Sequence, residues 1–261
     1  MSHIFVDTHC HFDFPPFTGT EAESLRLAAD AGVRQIIVPS VTSDRFRDVL
    51  SLAKKFPQLH AALGLHPLYI ADHKDSCIEL LDSLLSHRDP HLVAVGEIGL
   101  DLYMEAPQFE QQQRLLKAQF ALAKRENLPV ILHSRRSHDQ LAAMLRQAKL
   151  PATGVVHGFA GSLSQAQAFI KLGFAIGVGG TISYERAQKT RQVMAQLPLS
   201  SLLLETDAPD MPLQGFQGQA NRPERAVNVF DILCSLRSET PGQIADALLE
   251  NTRRIFNLSA L

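Results

Sequence analysis

Imidazole and carboxylate side chains follow several short apolar segments of this sequence, and both groups bind divalent cations. The first instance is His9 and His11, which follow Ile4-Phe5-Val6 after Asp7 and Thr8. Side chains alternate along a strand, so we expect both histidines on one face and Cys10 on the other. One such pair arises easily by chance, so the argument depends on its repetition. The polar groups after the later apolar segments are His66, Glu97, Asp101, His133, Arg135, His157, Glu205 and Asp207.

The apolar segments alternate with stretches of helical periodicity, which indicates strands alternating with helices. Strands are predicted at 4–6, 35–38, 59–63, 92–95, 129–132, 154–156, 174–178 and 202–204. Helices are predicted at 21–32, 44–56, 75–88, 108–127, 137–149, 162–172, 184–197 and 223–238. A last short helix is expected near 241–255, capped by Thr240.

Eight strand–helix units in about 250 residues are typical of a (β/α)8 TIM barrel. A doubly wound open sheet is the alternative, but its early GxGxxG fingerprint is missing. No linker composition occurs, so residues 1–261 are predicted to form one α/β domain. Barrel enzymes build their sites at the C-terminal ends of the strands. The polar groups above stand at those ends, so they predict a metal site there.

Composition excludes several functional classes. The 261 residues are 45% hydrophobic, which is ample for a large core, and the net charge is −2. This balance argues against a broad basic surface for duplex nucleic acid, although a small cationic cleft remains compatible with it. No aromatic stripe suggests a stacking platform for single strands. The sequence shows no membrane span or secretory signal, and its three cysteines suit a reducing compartment, so we expect a cytoplasmic protein.

The ordered motifs VDTHCHFD, GLHP, VGEIGLD, ILHSR, VVHGFAG and LLLETDAP resemble the TatD family of metal-dependent hydrolases. The resemblance runs from Ile4 to about Pro223. It implies a barrel of the amidohydrolase-like group that holds two divalent metals, and studied members include magnesium-dependent DNases. Imidazole ligands favour Zn²⁺ or Mn²⁺ over Mg²⁺, so the identity of the metal stays open.

The resemblance also implies a ligand set in this numbering. His9 and His11 would bind one metal together with Asp207, and Glu97 would bridge both metals. The second metal would be held by His133 and His157. This chain departs from the family after two of these ligands. It reads Gly158-Phe159-Ala160 where many members read CFS, and Ser137-His138-Asp139 after ILHSR and Arg136. Both changes concern the substrate rather than the ligands.

The remaining polar residues are given substrate or supporting roles. Arg135 lies two positions after His133 and so points the same way, where a guanidinium can bind a phosphate. His66 is expected to donate to a phosphate oxygen. Glu205 is expected to orient His9 or His11, and Asp101 to orient a ligand or cap a helix. The segment Asn221-Arg222-Pro223 is interpreted as a loop at the substrate rim.

The most favoured function is therefore a metal-dependent phosphodiesterase or deoxyribonuclease that uses a hydroxide activated by two metals, with Asp207 as general base. Its expected substrates are phosphate esters or short, single-stranded nucleic acids, and no membrane or obligate protein partner is expected. The alternative is a carboxylic ester hydrolase such as an aminoacyl-tRNA deacylase. Related amide-cleaving barrels often bridge their metals with a carboxylated lysine, whereas Glu97 stands here. A non-enzymatic metal-binding protein is least favoured, because all six ligands are retained.

Overall fold

A computed structural model describes residues 3–258, and in it eight parallel strands form one sheet whose neighbours follow the order of the chain. This arrangement confirms the single-domain (β/α)8 barrel. Residues 1, 2 and 259–261 of the predicted domain lie outside the described residues. The strands are β1 (Phe5–Asp7), β2 (Val33–Pro39), β3 (Leu59–Leu63), β4 (Leu92–Asp101), β5 (Val130–Arg135), β6 (Gly154–Val156), β7 (Ala175–Val178) and β8 (Leu202–Leu204).

Helices connect the strands and cover the outside of the barrel. They are α1 (Glu21–Asp30), α2 (Phe46–Lys55), α3 (Asp75–Ser86), α4 (Phe109–Glu126), α5 (His138–Ala148), α6 (Leu163–Lys171), α7 (Gln188–Gln196), α8 (Ala226–Leu236) and α9 (Pro241–Phe256). The cap predicted for the last helix is present: the Thr240 hydroxyl accepts from the backbone N–H of Gln243, whose side chain accepts from the N–H of Thr240. Within residues 3–258, no helix is both long and apolar enough to cross a bilayer.

Each strand contributes one residue to a buried apolar layer, and this layer supports the functional end. Its members are Val6, Ile37, Ala62, Ala94, Ile131, Val155, Ala175 and Leu203. Ile255, Phe256 and Leu258, in and just after α9, pack against this layer. Because side chains alternate, the residues two positions further along β5, β6 and β8 share the same face. Those residues are His133, His157 and Glu205.

The alternate residues form the larger core between barrel and helices. Cys10 is fully buried in that core, in agreement with its predicted position opposite the two histidines.

The first and last strands meet just beyond their C-terminal ends. The N–H of Thr8 donates to the carbonyl of Leu204 at 3.0 Å, and the N–H of Asp207 donates to the carbonyl of His9 at 2.8 Å. Cys10 and Ala208 form a further parallel bridge. These contacts bring His9 and Asp207 to one point of the barrel mouth, although they are far apart in the sequence.

Candidate metal centre

Glu97 lies at the centre of a cluster of histidines, and its two oxygens face different members. The carboxylate is 2% exposed and comes from the second half of β4. Oε2 lies 3.2 Å from Nε2 of His9 and 3.4 Å from Nε2 of His11. Oε1 lies 2.7 Å from Nε2 of His157 and 3.2 Å from Nδ1 of His133. A carboxylate placed between two pairs of imidazoles is suited to joining two neighbouring ion sites.

Asp207 completes the group on the His9 side. Its Oδ1 lies 3.6 Å from Nε2 of both His9 and His11, and these two nitrogens are 3.3 Å apart. Ligand atoms that share one cation at about 2.1 Å stand roughly 3.0–3.4 Å from one another. The separations are close to that range, so these side chains fit a divalent cation in size and in chemistry.

Hydrogen bonds to the protein assign the proton on two of the imidazoles. Nδ1 of His11 lies 3.2 Å from the carbonyl of Pro39, which only accepts, so Nδ1 carries the hydrogen. Nε2 of His133 lies 2.8 Å from Oδ2 of Asp101 and donates to it. When these rings are neutral, as metal binding requires, the other nitrogen of each directs a lone pair at Glu97. Acceptor would then face acceptor in a buried site, so either a proton or a cation must lie between them.

His9 and His157 have their outer nitrogens buried and without a hydrogen-bond partner in residues 3–258. Their rings stack at 3.7 Å between centroids. Oε1 of Glu205 lies 3.9 Å from Nδ1 of His157 and accepts from the N–H of Gly158 at 2.5 Å. Glu205 thus sits closest to His157, and the outer nitrogen of His11 is taken by Pro39 instead.

His66 also reaches Glu97, but in the opposite protonation state. Its Nδ1 accepts from the N–H of Leu68 at 3.0 Å, so the proton is on Nε2, which lies 3.0 Å from Oε1 of Glu97. Burial lowers the pKa of His66 to about 4, so the ring stays neutral with that single proton. By distance, His66, Glu97 and His133 form another group able to hold a metal. Because the proton of His66 is on Nε2, however, His66 is a hydrogen-bond donor at the edge of the site rather than a metal ligand.

Burial and charge shift the pKa values of the cluster strongly. Burial alone would lower the pKa of His11, but its hydrogen bond to Glu97 and the negative charge of Glu97 outweigh this and raise it to about 9. For His157, too, the negative charge of Glu97 and the hydrogen bond to it outweigh the effect of burial and raise the pKa to about 10. Burial would raise the pKa of Glu97, yet the surrounding histidines hold it well below its usual value. The site therefore attracts positive charge, whether as protons or as a cation.

Five of the six candidate ligands line a cavity of about 1120 Å³ that opens at the C-terminal end of the barrel, and the sixth, His9, is fully buried behind them. Arg135, Arg136 and Lys189 contribute cationic side chains to its lining, and Asp139 and Asp210 contribute anionic ones. Arg135 is exposed, as is Arg136 beside it. The cavity mouth thus carries both cationic and acidic side chains, although the net charge of the whole chain is only −2.

The structure brings together the residues that the sequence singled out, with one exception. Asp101 faces His133 through Oδ2, as expected for a residue that orients a ligand, but it does not cap the next helix: Oδ1 accepts from the N–H groups of Tyr103 and Met104, before α4 begins at Phe109. The rim position expected for Asn221 was wrong: its side chain is fully buried and donates to the carbonyls of Thr206 and Met211. Asn221 therefore braces the loop after β8.

Two groups that support the site were missed. The carbonyl of Pro39 carries no signal in the sequence, because any residue could supply it. The sequence also gives no sign that Gly177 supports the site. In the structure, a Cβ at this position would stand 2.4 Å from Oε2 of Glu205. An empty side-chain position on β7 thus makes room for a carboxylate on β8.

Known proteins resemble this chain over nearly its whole length. Residues 6–257 match the family described as TatD related DNase. The uncharacterized metal-dependent hydrolase YjjV of Escherichia coli K12 is 61% identical over 254 residues, covering 97% of this chain and 98% of that protein. A crystal structure of that TatD homologue superposes with a TM-score of 0.98 at 60% identity, over 99% of this chain and 100% of the other. The 3'-5' ssDNA/RNA exonuclease TatD of Erwinia tasmaniensis is 31% identical over 242 residues, covering 90% of this chain and 92% of that protein.

Proposed function

Since this chain belongs to the TatD family of metal-dependent hydrolases, we propose that it hydrolyses phosphodiester bonds of short or single-stranded nucleic acids with two divalent cations. The observation that carries the proposal is the placement of imidazole nitrogens around both oxygens of Glu97, at 2.7–3.4 Å. A single buried carboxylate with two such groups of partners is a natural bridge between two ions, and two-ion sites are common in phosphoryl-transfer enzymes.

In this proposal the six ligands divide into two sets that share Glu97. His9, His11 and Asp207 would hold one cation, while His133 and His157 would hold the other. Imidazole nitrogen suits Zn²⁺ and Mn²⁺, and the carboxylates also accept Mg²⁺. When bound, the cations supply Lewis acidity and lower the pKa of water in the site.

The protein's own groups supply positioning and proton transfer. Asp207 accepts the proton released by the attacking water, because its carboxylate is partly open to the cavity and burial raises its pKa. The Nε2–H of His66, which faces Oε1 of Glu97 at 3.0 Å, would donate to a substrate oxygen bound beside that carboxylate. Arg135 binds substrate at the mouth, where an exposed guanidinium can form two parallel hydrogen bonds with a phosphate.

Two further observations favour nucleic acid of limited length as the substrate. Relatives at about 30% identity are named as single-strand DNA and RNA exonucleases. In this chain Arg135, Arg136 and Lys189 line the cavity mouth, while the net charge of −2 argues against a grip on extended duplex. The end of a single-stranded nucleic acid that enters the cavity would meet these cationic side chains, as an exonuclease requires, without any grip on extended duplex.

The test is cleavage of a short end-labelled single-stranded DNA by metal-stripped protein, with Mg²⁺, Mn²⁺ or Zn²⁺ added back. His133→Ala is the inactive variant, and His91→Ala, remote from the site, is the matched histidine control. We expect cleavage only with added metal, and only for the wild type and the control. Failure of every metal to restore cleavage, in protein shown to bind two ions, would refute the nuclease assignment. Hydrolysis of an aminoacyl ester in the same samples would identify the carboxylic ester alternative.

A further inference from the structure

Two adjacent arginines and one tyrosine form a compact group at the cavity mouth. The guanidinium carbon of Arg135 lies 3.9 Å from the ring centroid of Tyr103, and that of Arg136 lies 4.4 Å from it. The ring itself is 50% exposed. Both distances are within the range of cation–π attraction, so Tyr103 holds two positive charges that would otherwise repel each other.

The fold brings these residues together in a way that the sequence pattern does not predict. Asp101 and Arg135 are partners in the β4–β5 register, so the residues just after them are neighbours. Consecutive strand side chains would point to opposite faces, but Arg136 has a left-handed backbone with φ 53°. That conformation is unfavourable for a residue with a Cβ, and it returns the second guanidinium to the side of the first.

Neither guanidinium forms an ion pair with the protein, although the positive charge of Arg135 contributes to the lowered pKa of Asp101. Across residues 3–258, no carboxylate lies within ion-pair distance of Arg135 or Arg136, and neither side chain forms a hydrogen bond. Arg125, by contrast, is paired with Asp82 at 2.6 Å and with Glu126. Two free guanidiniums held side by side, each with a planar set of donors, make a binding site for an anion such as a phosphodiester.

The position of this pair separates it from the reacting centre. Arg135 follows His133 by two strand residues, a rise of about 7 Å. Its guanidinium stacks on Tyr103 and makes no ion pair with Glu97 or Asp207. An anion bound there lies beyond the ions and toward solvent. Successive phosphates of an extended single strand are separated by a comparable distance.

We propose that Arg135 and Arg136 bind the phosphodiester adjacent to the one that is cleaved, and that Tyr103 is the positioning residue for both. This inference rests on the proposed function and names the feature of the substrate that is recognised. The enzyme therefore prefers a strand with at least two phosphodiesters over a compound with one.

Two substrates that differ by one phosphodiester test the contact with Arg135 and Arg136. Dithymidine monophosphate offers only the bond to be cleaved, whereas the trinucleotide adds one neighbouring phosphodiester. We expect the ratio of kcat/KM for trinucleotide over dinucleotide to fall about tenfold in Arg136→Asn, which tolerates the left-handed backbone while removing the cation. Arg146→Asn, an exposed arginine on α5, is the matched control and keeps the wild-type ratio. An unchanged ratio in Arg136→Asn would overturn the proposal.

Binding provides a readout that does not depend on cleavage. Anisotropy of a labelled, cleavage-resistant thymidine hexanucleotide should give a salt slope of log K that is smaller by about one in Arg136→Asn than in wild type. Tyr103→Ala should lower the affinity and Tyr103→Phe should restore it, because the ring face is retained. If wild type binds in this arginine-dependent manner but cleaves nothing, only the proposed function fails. If it cleaves and the variants bind equally well, only this inference fails.

Discussion

Replacing Asp101 with Asn should move a proton within His133 and weaken one ion site without removing a ligand. Oδ1 of Asp101 accepts from the N–H of Tyr103 at 2.9 Å and from that of Met104 at 3.3 Å, while Oδ2 faces Nε2 of His133 at 2.8 Å. Asn must place its oxygen toward the two backbone donors. Its NH₂ group then points at His133, so Nε2 becomes an acceptor and the proton moves to Nδ1.

The displaced proton occupies the nitrogen that would bind the cation. Nδ1 of His133 then donates to Oε1 of Glu97, 3.2 Å away, and the ion must compete with this hydrogen bond. Loss of a carboxylate behind a metal-binding histidine typically costs 10- to 100-fold in metal affinity, equivalent to about 1.4–2.8 kcal/mol. Only one of the two proposed sites should be affected.

The measurement is a Zn²⁺ titration of metal-stripped protein, with long-range ¹H–¹⁵N spectra to report the tautomer of His133. We expect one tight and one weakened site in Asp101→Asn. The matched control is Asp89→Asn, because Asp89 accepts from Nδ1 of His91 in a similar pair remote from the centre. Two sites of wild-type affinity in Asp101→Asn, with Nδ1 of His133 still unprotonated, would refute the tautomer argument.

Three further predictions follow from the same site. Gly177→Ala places a Cβ 2.4 Å from Oε2 of Glu205 and should lower the free energy of unfolding by about 1–3 kcal/mol in urea titrations. Gly242→Ala, whose Cβ meets nothing within 4 Å, should not, and equal stability of the two would contradict the packing argument. His66→Ala should retain both ions while kcat falls about 100-fold, since the Nε2–H donor is lost; loss of an ion would show that His66 is a ligand. Apparent Mn²⁺ affinity should rise from pH 6 toward pH 9, because the pKa of His11, raised to about 9, means that a proton must leave before the ion binds. Calorimetry in two buffers of different ionisation enthalpy measures that proton release, and a pH-independent affinity would exclude it.

Much of the barrel could be predicted because its strands are short apolar runs bounded by turns. The strands at 59–63, 154–156 and 202–204 agree to the residue with the prediction. The strand predicted at 92–95 instead continues to Asp101, with an irregular register between Val95 and Ile98. Gly96 and Glu97 interrupt the apolar run there, so periodicity alone ended the strand too early. The irregularity accompanies the turn of Glu97 into the barrel mouth.

The supporting groups could not be predicted because they are defined by contacts across the barrel. The sequence shows that Asp101 and His133 follow neighbouring strands, but the register decides that they meet. Gly177 becomes meaningful only beside Glu205. The aromatic side chain at the mouth was also missed, since Tyr103 belongs to no stripe and acquires its two arginines through the left-handed backbone of Arg136.

Closure of the barrel between its first and last strands also affects when the site can form during synthesis of the chain. Asp207, 3.6 Å from the imidazoles of His9 and His11, leaves the ribosome about 200 residues after them, which takes roughly 10–40 s at 5–20 residues per second. During that interval the two histidines have no carboxylate from β8 beside them, and the layer below still lacks Ile255 and Phe256. A nascent chain therefore has His9 and His11 without the carboxylate of Asp207. In the proposed ligand set, the ion site of His9, His11 and Asp207 is thus completed only after β8 has been synthesised, whereas Glu97, His133 and His157 are available earlier.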